Sequence, residues 1–274
     1  MTRALQSIDI TRVSSRGRVN APDMAAVEEP LEIRLNGTPF VVIMRTPGAD
    51  RELAAGFLFA ERIVAAPDDL GTIRHCVGPD GTQAPNIVDV TLAGDAATRL
   101  EEILAGRRTV TTTSACGVCG RKTIEDLMIG LEPLPAKWTI APNTIDALPG
   151  ALHAAQDAFA ESGGIHAAGL FDRDGRLLAS AEDVGRHNAV DKVIGAQLIM
   201  ERVPLDERLL FVSGRASYEI VQKALVARIP IVASVSAPSS LAIDLAREGN
   251  ATLLGFVRGG SFNVYTGIER VDGA

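Results

Sequence analysis

The amino-acid sequence predicts a mixed α/β protein, and three observations carry that expectation. An apolar–polar alternation with a tight hairpin turn opens the first half. Strands and helices of ordinary length then alternate through the second. A proline-rich stretch lies between them.

Residues up to about Glu29 are polar, with Gly, Ser and Pro scattered among them, and predict a loosely ordered arm with at most one short strand. Leu31–Leu35 alternates as a half-buried strand does. Asn36-Gly37 supplies the two positive-φ residues of a tight hairpin, and Pro39–Met44 returns as its second strand. Asp50 is placed as a helix N-cap before the stripe Leu53, Phe57, Leu58. Gly71–Pro85 reads as a loop, Ile87–Leu92 as a strand, Ala96–Ala105 as a short helix and Thr109–Thr113 as a further strand. A cysteine loop and a short helix near Thr123–Met128 follow. Leu131–Pro142 holds Pro133, Pro135 and Pro142, which makes it the expected junction between a smaller α+β domain over 1–137 and an α/β domain over 138–274.

Beyond the junction, Thr144–Ser162 predicts a helix stopped by Gly163-Gly164, with Pro149 breaking its first turn. Ala167–Phe171 and Leu177–Ala181 form a hairpin. Helix Asn188–Arg202, strand Leu209–Val212, helix Tyr218–Ala227, strand Ile231–Val235, helix Leu241–Arg247 and strand Thr252–Phe256 then give βαβ crossovers and a mainly parallel sheet.

Composition narrows the function. The chain has 274 residues and is 46% hydrophobic, enough for a real core, but only 4% aromatic, so aliphatic residues must build it. A net charge of -7 argues against non-specific nucleic-acid binding, which draws its affinity from a basic surface. The N-terminus lacks the apolar stretch of a secretory signal, and no run of about 18 apolar residues suggests a membrane span. The expected address is the cytoplasm. Three cysteines make no disulfide framework; they suit reactive or metal-binding thiols in a reducing compartment.

Two of those thiols form Cys116-Gly117-Val118-Cys119, followed by Gly120. Small residues surround them, and Arg107, Arg108, Arg121 and Lys122 are close in sequence. Nearby cations favour the thiolate, which is the nucleophile in sulfur exchange. Such a thiolate can take the terminal sulfur of a donor persulfide, and the second thiol can release it by closing a disulfide. Three other readings stay open. A zinc site would need His75 and Cys76 to complete it; a thioredoxin-like pair should open a helix after a first strand; and the thiols could be plain packing.

His166 begins Gly164–Ala168, which has the His of a zinc-deaminase H-x-E signature but Ala168 in place of its Glu. The C-x-x-C lies upstream rather than downstream, so deaminase chemistry is not expected. Three loops follow parallel strands, where open sheets bind ligands. They are Ser213-Gly214-Arg215-Ala216-Ser217, Ser236–Ser240, and Gly255-Phe256-Val257-Arg258-Gly259-Gly260-Ser261. Their hydroxyls, amides and the two arginines suit a phosphate or pyrophosphate, although serine capping alone also explains single loops. Glu182–Lys192 packs Arg186 and His187 between carboxylates, more than helix capping needs.

Taken together, these segments resemble the FdhD/NarQ family. The resemblance rests on Thr46-Pro47 with Leu53–Leu58, Cys116–Gly120, Gly164–Ala168, Asp183–Ala189, Ser213–Glu219, Ser236–Ala242 and Gly255–Arg258. It implies a sulfur carrier that takes persulfide sulfur from a cysteine desulfurase and passes it to the bis-molybdopterin guanine dinucleotide form of the molybdenum cofactor, for formate dehydrogenase. It implies Cys116 as the persulfide carrier with Cys119 assisting, and Phe256–Ser261 as the binding segment for the guanine-dinucleotide end, with GDP as a mimic. Ser213, Gly214, Arg215, Ser236, His187 and His166 are the further cofactor-binding candidates. It also implies a three-layer α/β/α domain like that of cytidine deaminases, and a homodimer. An escort of the cofactor without sulfur transfer, or a thiol-disulfide oxidoreductase, are the competing functions.

Overall fold

The computed structural model describes residues 4–78, 81–108, 132–135 and 138–273. Its strands form three sheets. The first is a two-stranded ribbon, β1 (Leu5–Ser14) against β2 (Gly17–Ala26). The second has the order β4-β3-β6-β5, from β3 (Glu29–Leu35), β4 (Thr38–Arg45), β5 (Leu70–Val77) and β6 (Gln83–Leu92). The third is six-stranded, in the order β12-β11-β10-β9-β7-β8.

The last sheet keeps the predicted succession of strands and helices but is mixed, not mainly parallel: two of its five pairings are parallel, because the β7–β8 and β11–β12 hairpins add antiparallel strands at both sides. It uses β7 (His166–Phe171), β8 (Leu177–Asp183), β9 (Leu209–Val212), β10 (Ile231–Ser234), β11 (Thr252–Arg258) and β12 (Ser261–Thr266). Strands β9, β10 and β11 are parallel; β7, β8 and β12 run antiparallel to their neighbours. Side chains leave a strand alternately to its two faces. Leu210 and Val212 therefore enter one apolar cluster, while Leu209 and Phe211 enter another. The first cluster holds α6 (Arg186–Ile199), α7 (Tyr218–Val226) and α8 (Ser240–Glu248), together with α1 (Asp50–Ala60) and the inner face of the four-stranded sheet. The second lies under α4 (Pro142–His153), with Ile145, Leu148 and Leu152 against Phe171 and Phe211. Both faces of the six-stranded sheet are thus covered.

Helices α1 and α6 cross in backbone contact. A Cβ on Gly56 would collide with the Asp191 carbonyl, and one on Gly195 with the Glu52 carbonyl. Two glycines therefore set how closely the halves approach.

Several expectations needed correction. The N-terminal arm is a long ribbon, because cross-strand bonds satisfy its backbone even where its side chains stay exposed. Gly71–Pro85 is not a loop. It contains β5 and the start of β6, and an edge strand tolerates the polar residues that hid it. Asp50 does not cap α1. Ala49, at φ 52, occupies that position, and the Asp50 carboxylate is instead buried against Arg45 at 2.9 and 3.0 Å. The helix expected over Ala96–Ala105 divides at Arg99 into α2 (Gly94–Thr98) and α3 (Leu100–Arg108). The helix expected over Thr144–Ser162 also divides, into α4 and α5 (Asp157–Ser162), and Pro149 sits inside α4. A distant carboxylate favours the break: Glu182 accepts from the N–H groups of Ala158 and Phe159 and so starts a new helix. The last strand does not end at Phe256. It runs to Arg258 and turns through Gly259 and Gly260, both at positive φ, into β12. The strand Thr109–Thr113, the cysteine loop and the helix near Thr123–Met128 lie outside the described residues.

Candidate functional site

The strand ends that face α6 and α7 bring many of the candidate residues together. Ser213, just past β9, is stitched to β7: its hydroxyl accepts from the Ala167 N–H at 2.9 Å, and its own N–H reaches the Ala167 carbonyl. That bond sets His166 beside the Ser213–Ser217 loop. A Cβ on Gly214 would come within 3.4 Å of His166 Nδ1 and 3.8 Å of the Arg186 side chain. These are ordinary van der Waals distances, so the imidazole and the Arg186 Cδ lie directly against the turn.

His187 comes from the first turn of α6 and meets Glu219 from the first turn of α7. His187 Nε2 lies 2.6 Å from Glu219 Oε2 and 3.0 Å from Ser217 Oγ. Arg186 Nε approaches the same imidazole nitrogen at 3.3 Å. One proton on Nε2 cannot face Glu219 while that nitrogen also accepts from Arg186. The shorter contact, with a carboxylate, fixes the proton toward Glu219. The guanidinium of Arg186 is then left beside two imidazoles, with no ion pair among the described residues. Burial, then repulsion from Arg186 and His187, holds His166 below the ordinary imidazole range, with Asp183 opposing.

Behind it lies a second polar cluster of opposite character. Asp183 is fully buried. One of its oxygens accepts from Gly185 N–H at 2.7 Å and Asn188 Nδ2 at 2.9 Å; the other accepts from Lys192 Nζ at 2.7 Å and Thr46 N–H at 3.2 Å. Lys192 also donates to the Thr46 carbonyl, and Asn188 to the Met44 carbonyl. This clasp ties the loop after β4 to the start of α6. One turn farther on, Asp191 receives Lys223 Nζ at 2.7 and 2.9 Å. Burial pushes the Asp191 carboxyl up, and Lys223 opposes that.

The remaining loops continue along the sheet. Val235 N–H bonds the Val212 carbonyl, Phe256 N–H bonds the Ser236 carbonyl, and Ser239 N–H bonds the Ala216 carbonyl. Ser213, Ser236 and Phe256 therefore lie in a row across adjacent strand ends. Arg215 is exposed in its loop. Phe256 has φ +54 at an irregular point of β11, and the Arg258 guanidinium sits 5.5 Å over its ring. Arg258, Gly259, Gly260 and Ser261 are exposed at the hairpin tip, whereas the Val257 side chain is buried in the second apolar cluster. Serine hydroxyls carry structural duties too: Ser239 caps α8 through the Ala242 N–H. Cys116 and Cys119 lie outside the described residues. Cys76 is half-buried on β5, and among the described residues no three His, Cys, Asp or Glu side chains converge as a metal site would require.

Sequence reasoning gave no role to Glu219, Lys223 or Lys192. Glu219 and Lys223 are spaced i, i+4 and look like a surface ion pair. The structure sends them to different partners, His187 and Asp191, because α7 is buried along most of its length.

Comparison with known proteins agrees with this architecture. The sequence profile of the FdhD/NarQ family matches residues 26–272. A relative from Anaeromyxobacter dehalogenans, named sulfur carrier protein FdhD, is 53% identical over 256 residues, covering 91% of this chain and 88% of its own. A Nocardia farcinica protein of the same name is 47% identical over 266 residues, with coverage of 96% and 93%. A crystal structure from Desulfotalea psychrophila, described as a candidate formate dehydrogenase accessory protein, superposes with a TM-score of 0.77. It is 26% identical and covers 98% of this chain and all of its own.

Proposed function

The chain belongs to the FdhD/NarQ family, and on that premise we propose that it carries sulfur on Cys116 to a molybdenum–pterin–guanine dinucleotide substrate used by a formate dehydrogenase. One observation carries the reading. Cys116 and Cys119 fall inside the stretch shared with relatives named sulfur carrier proteins, among Arg107, Arg108, Arg121 and Lys122. In loading, the Cys116 thiolate attacks the terminal sulfur of a cysteine desulfurase persulfide. The old S–S bond breaks, the desulfurase cysteine leaves as thiolate, and Cys116 keeps the sulfane sulfur. In delivery, Cys119 attacks Cys116 Sγ, a disulfide closes, and HS⁻ passes to the metal of the substrate. A dithiol reductant then restores the pair.

The row from His166 and Arg186 through Ser213 and Ser236 to Arg258 would hold the phosphates of the guanine dinucleotide, with the guanidinium groups of Arg186 and Arg258 supplying the attraction. The six-stranded half then serves as a deaminase-like scaffold without deaminase chemistry, since Ala168, fully buried, stands where the catalytic Glu would be. The proposal includes cytoplasmic action and a boundary near residue 137. Among the described residues no helix is long and apolar enough to cross a membrane.

The cationic corner would serve equally well in an escort that moves no sulfur, and one experiment separates the two. The protein is incubated with a desulfurase and cysteine, and its intact mass is measured with localisation by peptide mapping. One added sulfur on the Cys116–Cys119 peptide is expected, absent in Cys116→Ala, which should also fail to support formate dehydrogenase. Normal dehydrogenase activity with Cys116→Ala would leave the escort as the better reading.

A further inference from the structure

Arg186 stands where helix electrostatics disfavour a cation. It is the first residue of α6, at the positive end of that helix's dipole, and it lies beside two imidazoles. An anion bound there would offset both effects. Yet the guanidinium has an acceptor within reach inside the protein, since its Nε lies 3.3 Å from His187 Nε2. A ring nitrogen without a proton would accept from it in a charge-assisted bond and hold the guanidinium in place. Whether that nitrogen can accept is decided from α7.

Glu219 is buried, at 7% exposure, and among the described residues His187 Nε2, at 2.6 Å, is the donor that meets its carboxylate. The next turn of the two helices does not relieve it. Lys223, four residues on, gives its ammonium to both oxygens of Asp191 at 2.7 and 2.9 Å. A buried carboxylate holds such a donor firmly, because losing it leaves the charge unpaired. Nε2 therefore carries a proton whether the ring is neutral or doubly protonated, and in neither form can it accept from Arg186. Ser217 supports the same arrangement. It occupies the N-cap position of α7, yet its hydroxyl makes no capping bond and lies instead 3.0 Å from the same nitrogen.

We infer that Glu219 is a positioning residue: by keeping a proton on His187 Nε2 it denies Arg186 an internal acceptor and leaves that guanidinium to a phosphate-type anion at the start of α6. This rests on the reading of the corner as a phosphate site. The sign of the effect separates it from simple charge. By Coulomb's law alone, taking a carboxylate away from an anion site tightens binding. Here its removal loosens binding. The Ser217 hydroxyl is a weaker acceptor than a carboxylate, so the ring proton moves to Nδ1 and Nε2 captures Arg186. Calorimetry with GDP on the full chain tests this. Glu219→Met should weaken binding about fivefold or more, the loss of one charge-assisted contact. Glu219→Gln, whose carbonyl oxygen still accepts from Nε2, should bind no more weakly than the unaltered chain. In the Arg186→Ala background Glu219→Met should cause no further weakening, since the carboxylate acts through the guanidinium. With isotope-labelled histidine, the His187 Nε2 resonance should be that of a protonated nitrogen in the unaltered chain and of an unprotonated one in Glu219→Met. An unprotonated Nε2 in the unaltered chain would overturn the inference even if the Met variant did not fold. So would an equal loss in the Arg186→Ala background. Normal GDP binding that Glu219→Met leaves unchanged or tightens sinks this inference alone, whereas an unaltered chain that binds no GDP sinks the phosphate site with it.

Discussion

Two polar clusters meet at the start of α6, and they differ in how completely they are satisfied. Around Asp183 both carboxylate oxygens are engaged, and Lys192 divides its ammonium among Asp183 and two carbonyls. Around His166, Arg186 and His187, Glu219 is taken by His187 and Asp183 is committed to the clasp, and the Arg186 guanidinium, half-buried beside two imidazoles, has no ion pair among the described residues. The first arrangement spends its charges on joining the two sheets. The second keeps charge in reserve at a strand-end crevice, where an anion can use it. Satisfied burial marks architecture; a half-buried guanidinium without an ion pair marks a binding surface.

The comparison breaks most visibly at Lys192. Replacing it with Met leaves the Asp183 carboxylate buried without its cation, and a loss of about 3–5 kcal/mol is expected in chemical denaturation. A loss no larger than that of a surface substitution would mean the clasp is not what joins the halves. Arg186→Ala should do the reverse. Removing charge-assisted contacts should weaken GDP binding about tenfold to a hundredfold by calorimetry, with stability changed by about 1 kcal/mol at most. If GDP affinity is unchanged there but falls with Arg258→Ala, the ligand sits toward the β11–β12 hairpin and away from the histidine corner.

The smallest effect concerns pH. The native fold holds His166 below the ordinary imidazole value, whereas the unfolded chain takes up its proton near about 6.5. Between the lowered native value and that point, the unfolded state binds more protons. Stability contributed at this site is therefore fully present above about 6.5 and is lost as the pH falls through that window. His166→Gln should flatten the slope over the same window. An identical slope in the variant would assign the pH dependence to other groups.

Much of the six-stranded half was legible because its signals are local. Short apolar runs separated by helix-length stretches place β9, α7, β10, α8 and β11 to within a few residues, and Asn36-Gly37 marks the β3–β4 turn. Strand β5 was missed because it is an edge strand, with Gly71, Arg74 and His75 masking the alternation around Ile73. The ribbon was missed because little of it is buried, and only burial writes a periodic pattern into a strand. The candidate site was half legible. His166, His187, Ser213 and Gly214 were read from the sequence and do meet, whereas Glu219 and the Asp183–Lys192 clasp carried no signal of their own.

The order of strands and helices in the C-terminal half, the dithiol spacing and the family motifs were fixed by residues close together along the chain, where periodicity and turn chemistry act. Which cation stays unpaired, which carboxylate is buried with a partner and which ribbon face looks outward depended on segments far apart in sequence. Charges and apolar surfaces interact through space, so only the folded chain decides which neighbours each one has.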